Sequence, residues 1–501
     1  MSRSALAVGL FAASLYPLIA WHAVVRAPTG HVFLGNPSSH EDICSYLGYA
    51  QQVSEGSFVF RSKLTTVEHQ PALVNLEWAA MGALSWALGD RPFTAFRLFG
   101  AFGVLLMAGL VEAWLLDCGL PRRRRLAGLL LVFTGGGLGG LFLTPAWPEG
   151  LRPFDLFAGF YPFLMAIGNP HFVVGTTLVL AALHQLSHGR VGRGVALCAA
   201  LALIRPYDCV LVVGADVLAV TSSTAPKTWL RRLAPWVALA PVLAYVLWLF
   251  LVNPAYATFS YGAPQGAVGL HPSLAEMALA LGPAALLALT ATRAAPTGAS
   301  ARRYLALWAA LAAAFIALRP VSFSLQFGAG IGVPLLCLAA VGLAGRFRGA
   351  LEIATVLLAG SLLFVMRVFW VGLPTFYVPD TSWRAARELR AHCRPGERLV
   401  APREVGLLAE VFTSCSLYLP YSRVPQYAEK QLELDGFYGS WLPAQRAELL
   451  QRSCADHVVL PSGELADWLG PDAPFALSGA VSGAGPPQQL ASRTRPCRGA
   501  P

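Results

Sequence analysis

Charge is what this chain has least of: 13% of its 501 residues are Asp, Glu, Lys or Arg, where soluble domains carry roughly 25%. With 55% hydrophobic residues and a mean hydropathy of +0.55, that deficit excludes an ordinary soluble enzyme and directs most of the chain to lipid. Acids are scarcer than bases, 27 against 37, for a formal net charge of +10. The excess does not signal nucleic acid, because the arginines sit in short clusters between apolar runs and form no basic, aromatic-interleaved patch. Metal-binding cysteine pairs are also missing: there are nine cysteines and no C-x-x-C. Cys118, Cys198, Cys209 and Cys337 fall in or beside apolar stretches, where cysteine acts as a small hydrophobe. Cys393, Cys415, Cys454 and Cys497 fall in a C-terminal soluble part, where an oxidising compartment would allow one or two disulfides of unread connectivity. No P-loop, Ser-His-Asp order, H-E-x-x-H motif or internal repeat is present.

What is there is a series of apolar runs near the roughly 20 residues a membrane helix needs. They fall at 5–25, 95–117, 126–144, 171–187, 233–252, 273–291, 304–318, 327–344 and 350–371. The first is long for a signal peptide and lacks a small-x-small cleavage site, so it reads as a retained span. Five arginine clusters mark one side by the positive-inside rule: Arg122 to Arg125, Arg190 with Arg193, Lys227 with Arg231 and Arg232, Arg293 with Arg302 and Arg303, and Arg346 with Arg348. An even number of crossings must separate consecutive clusters. That parity makes 72–88, which carries Asn75 and Glu77, an interfacial helix. It also splits 194–220 into two short spans at Arg205-Pro206, proline being a natural breaker. The glycines of 135–137 and 139–140 are placed inside an apolar helix, where they suit close helix packing. The result is a mainly α polytopic membrane protein of about eleven crossings, amino terminus cytoplasmic and carboxyl terminus outside.

From Pro379 the composition changes. WRAARELRAH reads as an amphipathic helix; ERLVAP, SLYLP and DHVVLP read as short strands alternating with helices near 403–411 and 443–453. The expected division is 1–378 as the membrane part, with a first outer loop at 26–94, then a small extracytoplasmic α/β domain at 379–470, then a flexible Pro-, Gly-, Ala- and Ser-rich tail at 471–501.

The polar first loop is unusual in so apolar a chain. It carries His31, Asn36, His40, Glu41, Asp42, Arg61, Lys63, Glu68 and His69. One span, a long outer loop with the acid pair Glu41-Asp42, many further spans and a terminal outer domain together resemble the GT-C glycosyltransferases. These include the protein O-mannosyltransferases and lipid A aminoarabinose transferases. Glu41-Asp42 matches the family's first-loop acidic motif. Glu68-His69-Gln70-Pro71 is similar to the H-P-P-type segment before a juxtamembrane helix, with one proline missing. Arg97-Leu98-Phe99-Gly100 is similar to the usual start of the second span. Tyr377 to His392, Gly396 to Pro402, Glu404-x-Gly406, Glu429-Lys430 and Phe437-Tyr438 resemble the outer domain of bacterial members. The resemblance implies a transferase of EC 2.4 type in a bacterial inner membrane. It would move a sugar from a polyprenyl-phosphate donor to a glycan, lipid or protein acceptor, without nucleic acid.

Such a transfer needs few protein groups. The leaving phosphate is a stable anion, whereas the acceptor hydroxyl gains from a carboxylate base, an effect of about 10²–10⁴-fold. Asp42 is the expected base, inverting the anomeric centre, with Glu41 orienting it, binding acceptor, or helping hold Mg²⁺ or Mn²⁺ through oxygen. The plain alternative makes one acid a helix cap and the other a solvated charge. Arg205, Arg319 and Arg367 are the expected grips on the donor phosphate, against simple snorkelling to the interface. Glu68, His69, Asp155, Asn169 and His171 are expected to line the substrate pocket, against ordinary helix-end roles; Arg61 and Lys63 are expected to be solvated. Two rivals remain, a polytopic transporter or lipid flippase, and a catalytically inactive GT-C-like assembly protein. Transporters commonly show paired halves, absent here.

Overall fold

The computed structural model describes the chain except residues 36–39, 65–68, 144–150, 157–158, 223–225, 254–255, 257–271, 294–297, 321–323, 347–348, 373–375, 420–426, 461–467, 470–473, 482–487 and 495–501. It forms two compact units that do not follow chain order. One comprises 1–22, 97–248 and 264–372; the other comprises 23–96, 249–263 and 373–501.

The first unit is helical. Among the described residues, seven helices are long and apolar enough to cross a membrane: Arg3–Val25 (α1), Pro92–Asp117, Trp229–Val252, Leu274–Thr292, Ala299–Leu318, Ser324–Ala344 and Ala350–Val371. Their surroundings differ. The most hydrophobic stretch of Trp229–Val252 is 11% buried and that of Ser324–Ala344 is 94% buried, so the first is a lipid-facing wall and the second a central post packed on all sides. Shorter helices complete the unit, among them Arg125–Thr134, Pro170–Ser187, Val191–Ala202 and Pro206–Thr221. The expected break at Arg205-Pro206 is present: Val191–Ala202 ends, Arg205 caps, and Pro206 takes the first position of the next helix, where its missing N–H costs nothing.

One expectation is corrected. The glycines of 135–140 do not lie inside a helix: Arg125–Thr134 stops at Gly135, and a short 3₁₀ turn follows at Gly139–Leu143. The reason is close approach. A Cβ on Gly137 would sit 2.3 Å from the Ala280 carbonyl oxygen, and one on Gly140 would sit 2.5 Å from the Gly360 backbone. These glycines do serve close packing, but through irregular backbone.

The second unit is α/β. One part of it holds His40–Ser54 (α2), Leu76–Ala87 (α3) and a two-stranded antiparallel ladder of His31–Phe33 (β1) with Tyr377–Pro379 (β2). At 12 residues, α3 is about 18 Å long, short of the roughly 30 Å hydrocarbon layer. Asn75 caps it, its Oδ1 accepting from the Glu77 and Trp78 N–H groups. Trp78 then stacks on Tyr49 of α2, ring centroids 4.4 Å apart.

A five-stranded sheet follows, in the order β4-β3-β5-β7-β6. Arg398–Val400 (β3), Ser416–Leu417 (β4) and His457–Leu460 (β5) run parallel, separated by helices Arg403–Phe412, Tyr427–Tyr438 and Pro443–Arg452; the strands and the first and third helices fall where the sequence led us to expect. Val400, Val458 and Ala491 are buried in its core. The expected flexible tail is corrected: Phe475–Val481 (β6) and Gln488–Arg493 (β7) form an antiparallel hairpin whose second strand pairs with β5. Composition misled here because small residues suit a closely packed strand as well as a loop, and Arg493 secures the end by donating to the Ala455 and Leu450 carbonyls. Cys393 and Cys415 are disulfide-bonded, and Cys454 is also in a disulfide.

Candidate functional site

In the second unit the acid pair opens a helix. His40, Glu41 and Asp42 form the first turn of α2, where the helix dipole favours carboxylates; the sequence suggested a loop. Glu41 Oε1 accepts from Arg403 Nη2 at 2.5 Å, and the Arg403 guanidinium lies 5.6 Å from the Tyr427 ring centre. Both side chains are partly exposed, so the contact positions Glu41 more than it stabilises the unit. One turn along, Ser45 Oγ donates to the Glu41 carbonyl at 3.0 Å and to Glu410 Oε2 at 3.3 Å.

Behind this turn lies a pair that sequence reasoning missed. Lys63 and Glu410 are both buried, which corrects the expectation that Lys63 is solvated. Lys63 Nζ donates to the Thr413 carbonyl at 2.7 Å and the Glu410 carbonyl at 3.3 Å. Burial raises the Glu410 carboxyl to about 8, with Lys63 and the Ser45 hydrogen bond pulling the other way and Glu41 adding to the rise; the same burial holds Lys63 low. The partners stand 347 positions apart, and no local pattern announces such a pair. His69 Nε2 accepts from the Ser62 N–H at 3.1 Å, and its ring meets Tyr256 edge-on at 5.8 Å. Glu68 and Asn36 lie outside the described residues.

In the first unit the helices sort the expected residues by end. Ala299–Leu318 has Arg302 and Arg303 in its first turn and Arg319 at its C-cap. Ser222, which caps the C-terminus of Pro206–Thr221, receives a hydrogen bond from Arg303, and Ser300 Oγ donates to the Ser187 carbonyl. The opposite ends therefore gather Asn169, His171, Arg205 and Arg319 away from the arginine clusters.

Arg205 is 1% exposed. Its Nε donates to Asp208 Oδ2 at 2.7 Å and its Nη2 to the Gln326 carbonyl at 3.5 Å. The guanidinium lies 4.9 Å from the Phe172 ring centre and 4.7 Å from that of Tyr207, within cation–π range. Gly175 makes room for it: a Cβ there would fall 2.3 Å from Arg205 Cδ. Asn169 caps its helix by accepting from the His171 N–H at 3.0 Å, and His171 is buried beside Asp208. The Arg-Pro-x-Asp spacing was the available signal for the ion pair.

Asp155 is buried too, accepting from the Gly139 N–H at 2.7 Å and from the Ser361 hydroxyl. Arg319 sits in left-handed backbone, φ 53°, and its Nη2 donates to the Pro272 carbonyl at 2.8 Å. Arg367 is exposed on the Ala350–Val371 helix. Arg97 lies over the Tyr16 ring, 3.8 Å from its centre, and donates to the Ile167 and Gly168 carbonyls.

Apolar helices long enough to cross a membrane, with a buried arginine among them, and an α/β unit that carries an acid pair on a helix start define a multi-pass membrane protein. No family model matches the sequence, and no curated protein matches it. Solved structures do. The arabinofuranosyltransferase AftD from Mycobacteria superposes with a TM-score of 0.58 at 15% identity, over 99% of this chain and 40% of that one. ArnT from Cupriavidus metallidurans, bound to undecaprenyl phosphate, gives 0.53 at 14% identity, over 96% of this chain and 97% of that one. The Archaeoglobus fulgidus oligosaccharyltransferase in its apo form gives 0.51 at 12% identity, over 91% and 69%. This chain thus spans about 40% of the length of AftD and nearly all of ArnT. Its fold is that of the GT-C membrane glycosyltransferases.

Proposed function

We propose that the protein is a membrane glycosyltransferase that moves a sugar from a polyprenyl-phosphate donor to an acceptor hydroxyl on the extracytoplasmic side. The observation that carries this reading is the near end-to-end likeness to ArnT, a protein solved with undecaprenyl phosphate. Buried Arg205, braced by Asp208 and two aromatic rings, supports an anion grip, because a guanidinium held at membrane depth is costly without a use. Arg319 at the same helix ends is the second cation of the reading, and Arg367 a lesser one. The Cys393–Cys415 disulfide supports an oxidising compartment for the second unit.

In the proposed step Asp42 takes the proton of the acceptor hydroxyl as its oxygen bonds the anomeric carbon. The bond from that carbon to the phosphate oxygen breaks, polyprenyl phosphate leaves as the anion, and the centre inverts. Glu41, held by Arg403, keeps the first turn of α2 oriented, and in this reading it is the residue that would help hold any Mg²⁺ or Mn²⁺. Asn169 and His171, beside Asp208, are its substrate-lining residues in the first unit, and the acceptor is left as a glycan, lipid or protein.

Purified protein incubated with a panel of polyprenyl-phosphate sugars tests the proposal. Asp42→Asn is expected to lower transfer by about 10²–10⁴-fold while leaving membrane insertion and thermal unfolding unchanged. Full activity in that variant would remove Asp42 as the base. Absence of donor turnover in the wild type across the panel would favour an assembly role.

A further inference from the structure

Two helix ends at the arginine-rich end of the first unit converge on three side chains that the proposed transfer does not use. Pro92–Asp117 closes with Asp117, while His184 lies in the last turn of Pro170–Ser187 and His188 caps it. The two histidines stand four positions apart, the spacing that puts side chains on one face. Asp117 Oδ2 lies 2.8 Å from His184 Nε2 and 3.4 Å from His188 Nε2. The imidazole centroids are 4.6 Å apart, and one donor atom from each of the three residues lies within 4.8 Å of the others.

We propose that Asp117, His184 and His188 form a binding site for a divalent first-row transition ion of the zinc type, which clamps the two helix ends together. The first argument is metric. A tetrahedral ion with ligands at about 2.1 Å holds neighbouring donor atoms about 3.4 Å apart. The Asp117–His188 separation of 3.4 Å already matches such an edge, and the 2.8 Å Asp117–His184 contact has to open by about 0.6 Å to admit the ion. The second is the histidine tautomer. His188 Nδ1 lies 2.9 Å from the His184 carbonyl, a contact that requires the proton on Nδ1, as metal-bound imidazoles commonly arrange it. His188 Nε2 then faces the Asp117 carboxylate oxygen at 3.4 Å, the atom with which it would share an ion.

The third argument is the surroundings. Two nearby helix-end carbonyls are served by other groups: Arg302 donates to the Cys118 carbonyl and Arg232 to the Leu186 carbonyl, both at 2.8 Å. The Trp114 ring walls one side, 5.4 Å from that of His184. The His188 side chain is 38% exposed and that of Asp117 34%, so an ion has a way in and water can complete its shell. Two imidazoles with one carboxylate suit Zn²⁺, Fe²⁺ or Co²⁺; Mg²⁺ and Ca²⁺ prefer oxygen alone.

The test uses the full chain in detergent, with any polyhistidine tag removed and metal stripped by chelation. Co²⁺ is titrated while its d–d absorption is followed, Zn²⁺ is added in competition, and bound metal is counted by elemental analysis. The expected result is one equivalent of Co²⁺, displaced by Zn²⁺, with the melting temperature raised by Zn²⁺. His184→Ala and His188→Ala should each weaken binding by about tenfold or more, and His31→Ala, on the other unit, should not. His188→Ala is the deciding variant because its exposed ring can be removed without a core cavity; an unchanged melt of the metal-free variant shows that it is folded. Saturable binding that survives both histidine variants overturns the site. So does wild-type protein that takes up neither ion at one equivalent, which would leave an imidazolium–carboxylate pair as the explanation of the geometry.

Discussion

Each unit buries an arginine or lysine against an acid, and the two do it by opposite routes. Arg205 and Asp208 are three residues apart on one helix start. Lys63 and Glu410 are brought together across more than three hundred residues, the lysine bonding the carbonyl of the residue that carries the acid. The local pair forms as soon as its helix does. The distant pair exists only when the first loop and the terminal domain have assembled. Burial of a charge is tolerable in both cases, but only the second reports on long-range assembly.

The comparison can be broken from either side. The largest effect is expected for Arg205→Met, which leaves the Asp208 carboxylate buried without its partner and should cost about 3–5 kcal/mol. The double variant Arg205→Met/Asp208→Leu should recover much of that loss; thermal unfolding in detergent distinguishes them. If Arg205 also grips donor phosphate, the double variant stays inactive while regaining stability. Next comes the disulfide: Cys393→Ala with Cys415→Ala removes a cross-link over 22 residues, worth about 3 kcal/mol, and limited proteolysis of the second unit should accelerate accordingly.

Lys63→Met should cost less, about 1–3 kcal/mol, because Glu410, raised to about 8, can take a proton instead of remaining a bare charge. The pH dependence follows from that value. A carboxyl at about 8 in the folded chain against 4.5 ordinarily means that the folded state holds a proton the unfolded state has released. Its contribution is therefore fully present below about 4.5 and is lost as pH rises to about 8. Lys63, held low, opposes part of this slope, so the quantity to read is the difference between wild type and Glu410→Gln, which should grow in the variant's favour across that window. The smallest stability effect is expected for Arg403→Ala, below about 1 kcal/mol for so exposed a pair. Transfer should nonetheless fall, if Glu41 orients the first turn of α2, and unchanged transfer would confine Arg403 to the surface.

What could be read from the sequence follows the same division. Seven of the apolar runs, the break at Arg205-Pro206, the short helix after Asn75 and the strands β3, β4 and β5 all follow from patterns within about twenty residues, whereas the run at 126–144 yields a helix that stops at Thr134. The glycine run at 135–140 was misplaced because its reason lies in Ala280 and Gly360, far along the chain. The hairpin of β6 and β7 was missed because its partner is β5, not its own composition. The acid pair was visible as residues, but its setting was not: nothing near Glu41 announces Arg403, and nothing near Lys63 announces Glu410.

The ladder between His31–Phe33 and Tyr377–Pro379 carries a consequence for biogenesis. Its first strand leaves the ribosome more than three hundred residues before its second, with most of the membrane helices made in between. Until the terminal domain is made, the early strand has an open edge and Lys63 lacks the Glu410 and Thr413 carbonyls that receive it. Truncation shortly before residue 377 should therefore leave β1 without its partner, read as faster proteolysis of the first loop.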